Sequence, residues 1–240
     1  MTALLFRDDA YLRSASAVVV AAGPEGIILD RTPFYPRSGG QPGDAGTIAW
    51  DGGEAAIAEA AKGEADAVRH PVAEGSPLPP VGATVTATID WAQRHRHMRM
   101  HTALHLLCAA LPGVGVTGGQ IGAQKSRLDF DMAEPPTKEW LAEALNTLAA
   151  GNHAITDRWI AEAELDAMPS LVRTLSVQPP RGTGRIRLVR IGTEDAAVDL
   201  QPCGGTHVAN TSEIGRIIVL KLESKGRQNR RVQITLEDQP

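Results

Sequence analysis

The sequence predicts an α+β fold in two parts: a small β-barrel-like domain over residues 1–90, and an α+β domain with an antiparallel sheet and helices over residues 91–240. Before Asp90 the apolar residues come in short segments bounded by Gly, Pro or Asp, which is typical of short strands. From Trp91 the apolar spacing becomes helical. Beyond Pro112 strand-like and helix-like segments follow one another without an internal repeat, which favours helices on one side of an antiparallel sheet.

The barrel-like domain is predicted from strands separated by turns. Residues 15–30 hold two apolar runs on either side of Gly23-Pro24-Glu25-Gly26, which is a hairpin pattern. The segment from Thr32 to Gly46 is dense in Gly and Pro and predicts a shaped loop. Further short segments at 46–50, 55–60, 65–70 and 83–89 have the spacing of a small barrel.

The second domain begins with a helix predicted from Trp91 to the stop at Pro112-Gly113. One apolar stripe defines this amphipathic helix: Met100, Leu104, Leu107 and Leu111. A second helix is predicted from Thr137, its N-cap, to Gly151-Asn152, with an apolar face of Trp140, Leu141, Ala144, Leu145 and Leu148.

The remaining elements of this domain are predicted to be mainly strands. They are a pair at 118–122 and 127–131, a strand at 155–160, a short helix at 162–168, a strand at 184–191, and a hairpin of 214–222 and 230–236 around Ser224-Lys225-Gly226. Together they predict the antiparallel sheet of the α+β domain.

Length and composition indicate a globular protein. A chain of 240 residues can form one large or two modest domains. The apolar run from Ala15 to Ala22 is too short to cross a bilayer, and no signal peptide is visible. Two cysteines cannot make a disulfide framework, so we expect a cytoplasmic protein.

The formal net charge is -4, but basic residues gather after residue 90. They are Arg94, Arg96, Arg99, Lys125, Arg127, Arg181, Arg185, Arg187, Arg190, Lys221, Lys225, Arg227, Arg230 and Arg231. This distribution suits phosphate binding by one part of the molecule. Solvated faces of strands and helices are the other interpretation.

Two residue pairs have the spacing of metal ligands. His101 and His105 are four apart on the predicted helix, so their imidazoles lie on one face. Cys203 and His207 have the same spacing, but Gly204 and Gly205 between them favour a loop. One sulfur and three nitrogens form a tetrahedral set suited to zinc rather than magnesium or calcium.

Two neighbouring residues are rival ligands. His97 stands four before His101, and Cys108 stands three after His105. His97 falls among arginines, where phosphate contact or exposure is more natural, and Cys108 falls among Leu and Ala, where a thiol behaves as a small hydrophobe. We therefore favour the pair at 101 and 105.

Three motifs together carry a resemblance to a known family. HTALH at 101–105 and CGGTH at 203–207, behind TPFYPRSGGQPGDAG at 32–46, resemble the editing region of alanyl-tRNA synthetase and its freestanding relatives, the alanyl-tRNA editing proteins of AlaX type. The resemblance implies a barrel-like domain joined to a zinc-binding editing domain. It also implies hydrolysis of serine, with glycine left open, from mischarged alanine tRNA. The chain is too short for the synthetase, which favours an isolated editing protein acting in trans.

The resemblance also suggests substrate contacts. Thr117 and Gln120 fall in a segment similar to the family's substrate-lining strand, where a polar group could read the serine hydroxyl; ordinary strand residues are the alternative. Thr102 and Lys125 are further candidates. The loop residues Ser38, Gly39, Gly40 and Gln41 either wrap the 3′ end of the substrate or only turn the chain.

Basic residues would supply phosphate contacts to the tRNA, which is the partner that the resemblance implies. The candidates are Arg94, Arg96, Arg99, Lys225, Arg227, Arg230 and Arg231. No membrane and no protein partner is expected.

The role of the zinc stays open at this point. It could activate water, orient the aminoacyl group, or be purely structural. A nucleophilic Cys203 is possible in principle, although a zinc-bound thiolate is a poorer nucleophile than a free one. The rival functions are deacylation of another mischarged tRNA, such as seryl-tRNA for threonine, and a noncatalytic zinc-stabilised tRNA-binding module.

Overall fold

The structure is a computed structural model that describes residues 1–175, 182 and 184–237; Arg181 of the predicted basic group lies outside these residues. The protein is mixed α+β, and its sheets are mostly antiparallel. It divides into two compact units, the first ending at His97 and the second beginning at Met98. Within the described residues, no helix is both long enough and apolar enough to cross a membrane.

The first unit is built from nine strands. They are β1 (Ala3–Leu4), β2 (Ser14–Gly23), β3 (Gly26–Leu29), β4 (Arg31–Thr32), β5 (Gly46–Trp50), β6 (Gly53–Ile57), β7 (Ala61–Lys62), β8 (Val68–His70) and β9 (Thr84–Ile89). Seven form a sheet in the order β6-β5-β9-β2-β3-β8-β7, and β1 pairs with β4 in parallel. The predicted hairpin is confirmed, because β2 and β3 pair antiparallel with Gly23 opposite Gly26.

The predicted barrel is not confirmed. The sheet is open, with β6 and β7 as its edge strands. Within residues 1–97, all of which are described, one isolated bridge lies near these edges and connects Ile57 with Val72. Alternating side chains of the strands face a shared core. In β2, for example, Ala17 and Val19 are buried while Val18 and Val20 are exposed.

The Gly-rich loop contains a tight turn. Ser38 and Gln41 exchange both backbone hydrogen bonds, with N···O distances of 3.1 and 2.9 Å. Gly39 and Gly40 between them have φ values of 55° and 82°. A two-residue turn with positive φ at both positions favours glycine because it has no Cβ. The loop therefore reverses the chain here, and its exposed tip is the glycine pair.

The second unit contains most of the helical structure. Its elements are α1 (Trp91–Ala110, which begins before the boundary), β10 (Gly115–Gln120), β11 (Ser126–Asp131), α2 (Lys138–Ala150), β12 (Ile155–Ala161), α3 (Glu162–Asp166), β13 (Arg185–Gly192), β14 (Ala197–Pro202), β15 (Ile217–Ser224) and β16 (Asn229–Leu236). Two antiparallel sheets have the orders β10-β11-β16-β15 and β12-β13-β14. The strand pair, the short helix and the closing hairpin are thus confirmed.

The helix α1 begins and ends as predicted, but its burial is different. Asp90 caps its start, because its Oδ1 accepts from the backbone N–H of Gln93 at 3.0 Å. Every residue from His97 to Cys108 is buried. The four residues of the predicted apolar stripe are buried as expected. The helix is not amphipathic over this stretch, however, since polar side chains there are also interior. His101, Thr102 and His105 therefore lie inside the protein.

The helix α2 is capped as predicted, because the hydroxyl of Thr137 accepts from the backbone N–H of Trp140 at 3.2 Å. Its predicted apolar face was wrong in one residue. Leu141, Leu145 and Ala149 are buried, whereas Trp140 is 50% exposed. Trp140 lies one residue before Leu141 and so points away from the buried face.

Candidate metal centre

The four predicted ligands converge on one point. His101 and His105 project from α1, and Cys203 and His207 lie in the loop after β14. Their ligand atoms all lie within 4.8 Å of one another. Cys203 Sγ is 3.4 Å from His101 Nε2 and 3.2 Å from His207 Nε2. The structure thus brings together the two pairs that the sequence spacing indicated.

These donors fit a tetrahedral metal ion. Zinc bonds of about 2.0–2.1 Å to nitrogen and about 2.3 Å to sulfur place neighbouring ligand atoms roughly 3.3–3.7 Å apart. The measured sulfur–nitrogen distances of 3.4 and 3.2 Å are close to that spacing. A thiolate with three imidazoles suits zinc and related transition metals rather than magnesium or calcium.

Two polar side chains lie behind His105. Its Nδ1 is 2.8 Å from Asp199 Oδ2, and Gln201 Nε2 donates to the same carboxylate oxygen at 2.8 Å. Asp199 is 3% exposed. A carboxylate on Nδ1 fixes the ring so that Nε2 faces the centre, and it increases the basicity of the ligand.

The Asp199 carboxylate is only partly satisfied by its neighbours. Asp199 Oδ1 is buried and has no hydrogen-bond partner within the described part of the chain. An unsatisfied buried carboxylate oxygen is costly unless a cation compensates for its charge. A divalent ion held by His105 and its three neighbours would supply that compensation.

Burial and neighbouring groups shift the pKa of three of the four side chains, Cys203, His105 and His207. Burial alone would raise the pKa of Cys203, but the charges of His101 and His207 hold it well below its usual range. Burial alone would lower the pKa of His105, but its hydrogen bonds to Asp199 and Cys203 raise it to about 10. Burial, together with the charge of His101, lowers the pKa of His207 to about 3. The thiolate is therefore favoured, as metal binding requires.

The two rival ligands are not in the cluster. The cluster consists of His101, His105, Cys203 and His207. Cys108 is buried, and burial together with the charge of Asp199 raises the pKa of its thiol to about 12. It therefore stays a neutral, hydrophobic side chain. His97 is also buried.

Thr102 supports a ligand instead of facing the substrate. It is fully buried, and its hydroxyl donates to the Met98 carbonyl at 2.9 Å. Its Oγ1 lies 3.2 Å from His207 Nδ1. The predicted substrate contact is therefore corrected, because the hydroxyl orients His207 so that Nε2 faces the metal centre.

Two predicted tRNA contacts are interior. Arg94 is 0% exposed, and its guanidinium pairs with Asp44 and donates to the Pro33 carbonyl. The guanidinium of Arg99 is buried against the Ile214 carbonyl, with Nε···O 3.0 Å. A role for either in phosphate binding is corrected, because neither guanidinium reaches the surface.

The other predicted basic contacts lie nearer the surface. Lys225 and Arg227 are exposed in the turn between β15 and β16, and Arg96 is half-buried. Arg231 pairs with Asp129 on the neighbouring strand, with Nε···Oδ1 2.7 Å, and Arg230 donates to the Gly226 carbonyl at 2.8 Å. The last two are thus engaged within the protein.

The predicted serine-reading residues lie along β10. The register of β10 on β11 shifts between Val116 and Gly118, so Thr117 sits at a β-bulge. Its hydroxyl lies 3.4 Å from Asn229 Oδ1. Gln120 at the end of β10, and Lys125 before β11, are exposed. Bulges often redirect a side chain next to a functional site.

Sequence reasoning missed Asp199 and Gln201. Their signal was present, because positions 199, 201 and 203 alternate along β14 and therefore share one face of the strand with Cys203. Polar residues at alternating positions usually indicate a solvated face. Because Asp199 and Gln201 precede the candidate ligand Cys203 by four and two residues, they could have been interpreted as supports of the site instead of a solvated face.

Comparisons with known proteins agree with this architecture. A family model described as "Threonyl and Alanyl tRNA synthetase second additional domain" matches residues 186–233, and one described as "tRNA synthetases class II (A)" matches residues 6–93. The alanyl-tRNA editing protein AlaX-M of Methanosarcina mazei is 37% identical, covering 100% of this chain and 98% of that protein. AlaX-M of Saccharolobus solfataricus is 33% identical over 99% of this chain and 100% of its own length.

A longer relative matches in part. The alanine–tRNA ligase of Pyrobaculum neutrophilum is 37% identical over 91% of this chain, which corresponds to 25% of that enzyme. Fold and site define a two-unit α+β protein in which three histidines and a cysteine are arranged as a metal site requires. Identity at this level over the full length of several relatives shows that the chain belongs to the family of alanyl-tRNA editing proteins of AlaX-M type.

Proposed function

We propose that this chain is a zinc-dependent deacylase that acts in trans and hydrolyses serine, with glycine as a second candidate, from mischarged alanine tRNA. The observation that carries the proposal is the cluster of His101, His105, Cys203 and His207, with its buried supports, in a chain of this family. Neither Cys108 nor Cys203 is in a disulfide, which suits a reducing cytoplasm.

The need for such an activity follows from small differences in binding energy. The aminoacylation site of a synthetase that is made for alanine cannot strongly reject glycine, which is smaller, or serine, which adds one hydroxyl. A second site can recognise the hydroxyl directly. A polar group placed to bond it would be left unsatisfied by alanine, at a cost of about 1–3 kcal/mol.

The chain's own residues organise the reaction site. Asp199 and Thr102 hold the rings of His105 and His207 so that each Nε2 faces the centre, and Cys203 contributes a thiolate. Zinc bound there supplies a Lewis acid that can polarise the ester carbonyl, orient the amino group or activate water. A direct nucleophilic role for Cys203 is disfavoured, because a thiolate that held zinc would be a poorer nucleophile than a free one.

We assign recognition of the serine hydroxyl to Thr117, with Gln120 and Lys125 at the outer end of the same strand pair. The bulge at Thr117 and the nearby amide of Asn229 support this assignment, since they fix a hydroxyl out of register with the ladder. We assign phosphate contacts to Lys225, Arg227 and Arg96, and a substrate contact to the tip of the loop from Ser38 to Gln41. The exposure of Lys225, Arg227 and the two glycines of the loop supports these roles.

The test is release of amino acid from four charged tRNAs. Serine and glycine on alanine tRNA should be compared with alanine on the same tRNA and with serine on threonine tRNA. Faster loss of serine from alanine tRNA than from threonine tRNA, with alanine retained, is the expected result. Preference for threonine tRNA would identify the other deacylase, and binding without release from any of the four would identify a noncatalytic module.

Thr117→Val tests the specificity assignment in the same assay. It removes the hydroxyl and keeps the shape, so serine release should fall about 5- to 100-fold while the metal content stays unchanged. Thr156→Val, at an exposed position of β12, is the matched control. Equal serine release by the two variants would exclude Thr117 as the recognising group.

A further inference from the structure

The three-stranded sheet carries the metal centre on one of its two faces. Along β14 the side chains of Asp199 and Gln201 share a face with Cys203 just beyond the strand. Their cross-strand partners on β13 are Ile191 and Val189, and the backbone N–H of Cys203 donates to the Arg187 carbonyl at 3.1 Å. The metal-centre face therefore continues onto β13 through Arg187, Val189 and Ile191.

The same face extends to β12, the outer strand of this sheet. Trp159 is the cross-strand partner of Arg187, and Asp157 is the partner of Val189. Cross-strand partners point to the same side of a sheet. The opposite face is covered by an apolar cluster that includes Ile160, Ile186, Leu188 and Leu165 of α3. The row Trp159–Arg187–Cys203 thus runs straight across the metal-centre face.

The row changes from half-buried to exposed along its length. Cys203 and Arg187 are half-buried, whereas Trp159 is 37% exposed. Two strand spacings of about 4.8 Å place the backbones of Trp159 and Cys203 roughly 10 Å apart. A large aromatic side chain therefore lies on the outer part of the face that holds the metal ligands.

Two arginines fix this region. The guanidinium of Arg185 lies over the Trp159 ring, with Cζ 4.9 Å from the ring centroid. The guanidinium of Arg187 donates to the Gly205 carbonyl at 2.9 Å and to Asp157 at 3.1 Å. Arg187 therefore ties the metal-binding loop to the strand that carries Trp159. The indole is held by a cation that can also attract a phosphate.

We propose that Trp159 and Arg185 form a stacking platform for a base of the unpaired 3′ end of the tRNA. This proposal rests on the proposed function, because the ester to be cleaved sits on the ribose of the terminal nucleotide. The base of that terminal nucleotide must therefore lie no farther from the metal centre than the length of one nucleotide. Single-stranded nucleic acids are bound by aromatic side chains and guanidinium planes beside a basic groove. Trp159 and Arg185 supply both at that distance.

Binding of a short RNA tests the platform without requiring turnover. The probe is a fluorescein-labelled single-stranded RNA that ends in CCA, followed by anisotropy with the metal-loaded protein. Trp159→Ala should raise Kd about 5- to 100-fold, because a base–aromatic stack is lost. Trp159→Phe should stay within about threefold of the parent, since the aromatic face remains. Trp140→Ala, at a tryptophan that is 50% exposed on α2, is the matched control and should leave Kd unchanged.

Kinetics distinguish a platform from a structural residue. In hydrolysis of seryl-tRNA for alanine, Trp159→Ala should raise KM with a smaller change in kcat, and the metal content should match the parent. Equal Kd and KM for Trp159→Ala and Trp140→Ala would overturn the platform even if the parent is an active deacylase. A parent that hydrolyses none of the charged tRNAs, but binds the RNA through Trp159, would contradict the proposed function and support the platform.

Arg185→Gln provides a second route if Trp159→Ala does not fold. If this substitution removes one phosphate contact, Kd should rise. The slope of the logarithm of the association constant against the logarithm of salt concentration should become about one unit less steep. An unchanged Kd and an unchanged slope would overturn the proposal.

Discussion

The histidines of the metal centre differ in what holds the second nitrogen of the ring. A carboxylate lies on His105 Nδ1 and a hydroxyl on His207 Nδ1. A charged partner increases ligand basicity more than a neutral one. We therefore infer that His105 is a stronger imidazole ligand than His207.

Replacing Asp199 tests that inference. Asp199→Asn keeps the shape but removes the charge, so metal affinity should fall about 10- to 100-fold. Competition with a chromophoric chelator measures the affinity directly. Asp195→Asn, at an exposed position in the turn between β13 and β14, is the control. Equal affinities for the two variants would show that the charge of Asp199 does not support the metal.

A buried histidine outside the metal centre, His70, makes the first unit sensitive to acid. His70 is fully buried, with Nδ1 2.9 Å from the Ile27 carbonyl and Nε2 2.9 Å from Thr32 Oγ1. Burial lowers its pKa from 6.5 to about 4. The folded protein therefore keeps His70 neutral at a pH where the unfolded chain binds a proton.

The free energy of unfolding should respond accordingly. The stability from neutral His70 is fully present above pH 6.5 and is lost as the pH falls to about 4, with a total of about 3 kcal/mol. Urea unfolding across this range, for the parent and His70→Gln, isolates the effect. The variant should lose about 3 kcal/mol less than the parent between pH 7 and pH 4. Parallel curves would contradict the assignment.

At the scale of elements, one ion pair links the start of α1 to the Gly-rich loop. Arg94 and Asp44 are both 0% exposed, and Asp44 also accepts from the backbone N–H of Tyr35 at 2.5 Å. The guanidinium donates to the Pro33 carbonyl at 2.6 Å and to the Ala10 carbonyl at 2.9 Å. Both ends of the loop are thus fixed to the same guanidinium.

Breaking the ion pair of Arg94 and Asp44 should lower the free energy of unfolding. Arg94→Met leaves the Asp44 charge buried without its partner, so we expect unfolding to become easier by about 3–5 kcal/mol. Removing both charges, with Arg94→Met and Asp44→Leu together, should cost less than the sum of the single changes. Urea unfolding provides the values. Arg37→Gln at the exposed pair with Glu59 is the control and should have a much smaller effect. A loss from Arg94→Met no larger than this control's would mean that the buried pair does not hold the loop.

Local patterns predicted most elements, but not which side chains are interior. Turn glycines and the Thr137 cap placed the hairpins and α2, because these signals act over a few residues. The burial of Arg94 depends on Asp44, 50 residues away, and the role of Asp199 depends on His105, 94 residues away. The exposure of Trp140 and the burial of polar residues along α1 were misjudged for the same reason. Burial is decided by tertiary contacts.

At the scale of the whole molecule, the grouping of the four candidate ligands was predictable from their pairwise spacing, which places His101 and His105 on one face of α1. Their supports were not, since each contributes through contacts between elements distant in the chain. The barrel expected for the first unit is not confirmed, although its strands are antiparallel as predicted. The motifs also identified the family, to which relatives 33–37% identical over their full length assign the chain.

The most direct test of the central claim is release of amino acid from seryl- and alanyl-tRNA for alanine by the purified protein before metal removal, after it, and after zinc is restored. We predict that serine release requires zinc and returns with it, that alanine is retained throughout, and that His105→Ala is inactive because the ion is lost. Unchanged serine release by metal-free protein would contradict the account.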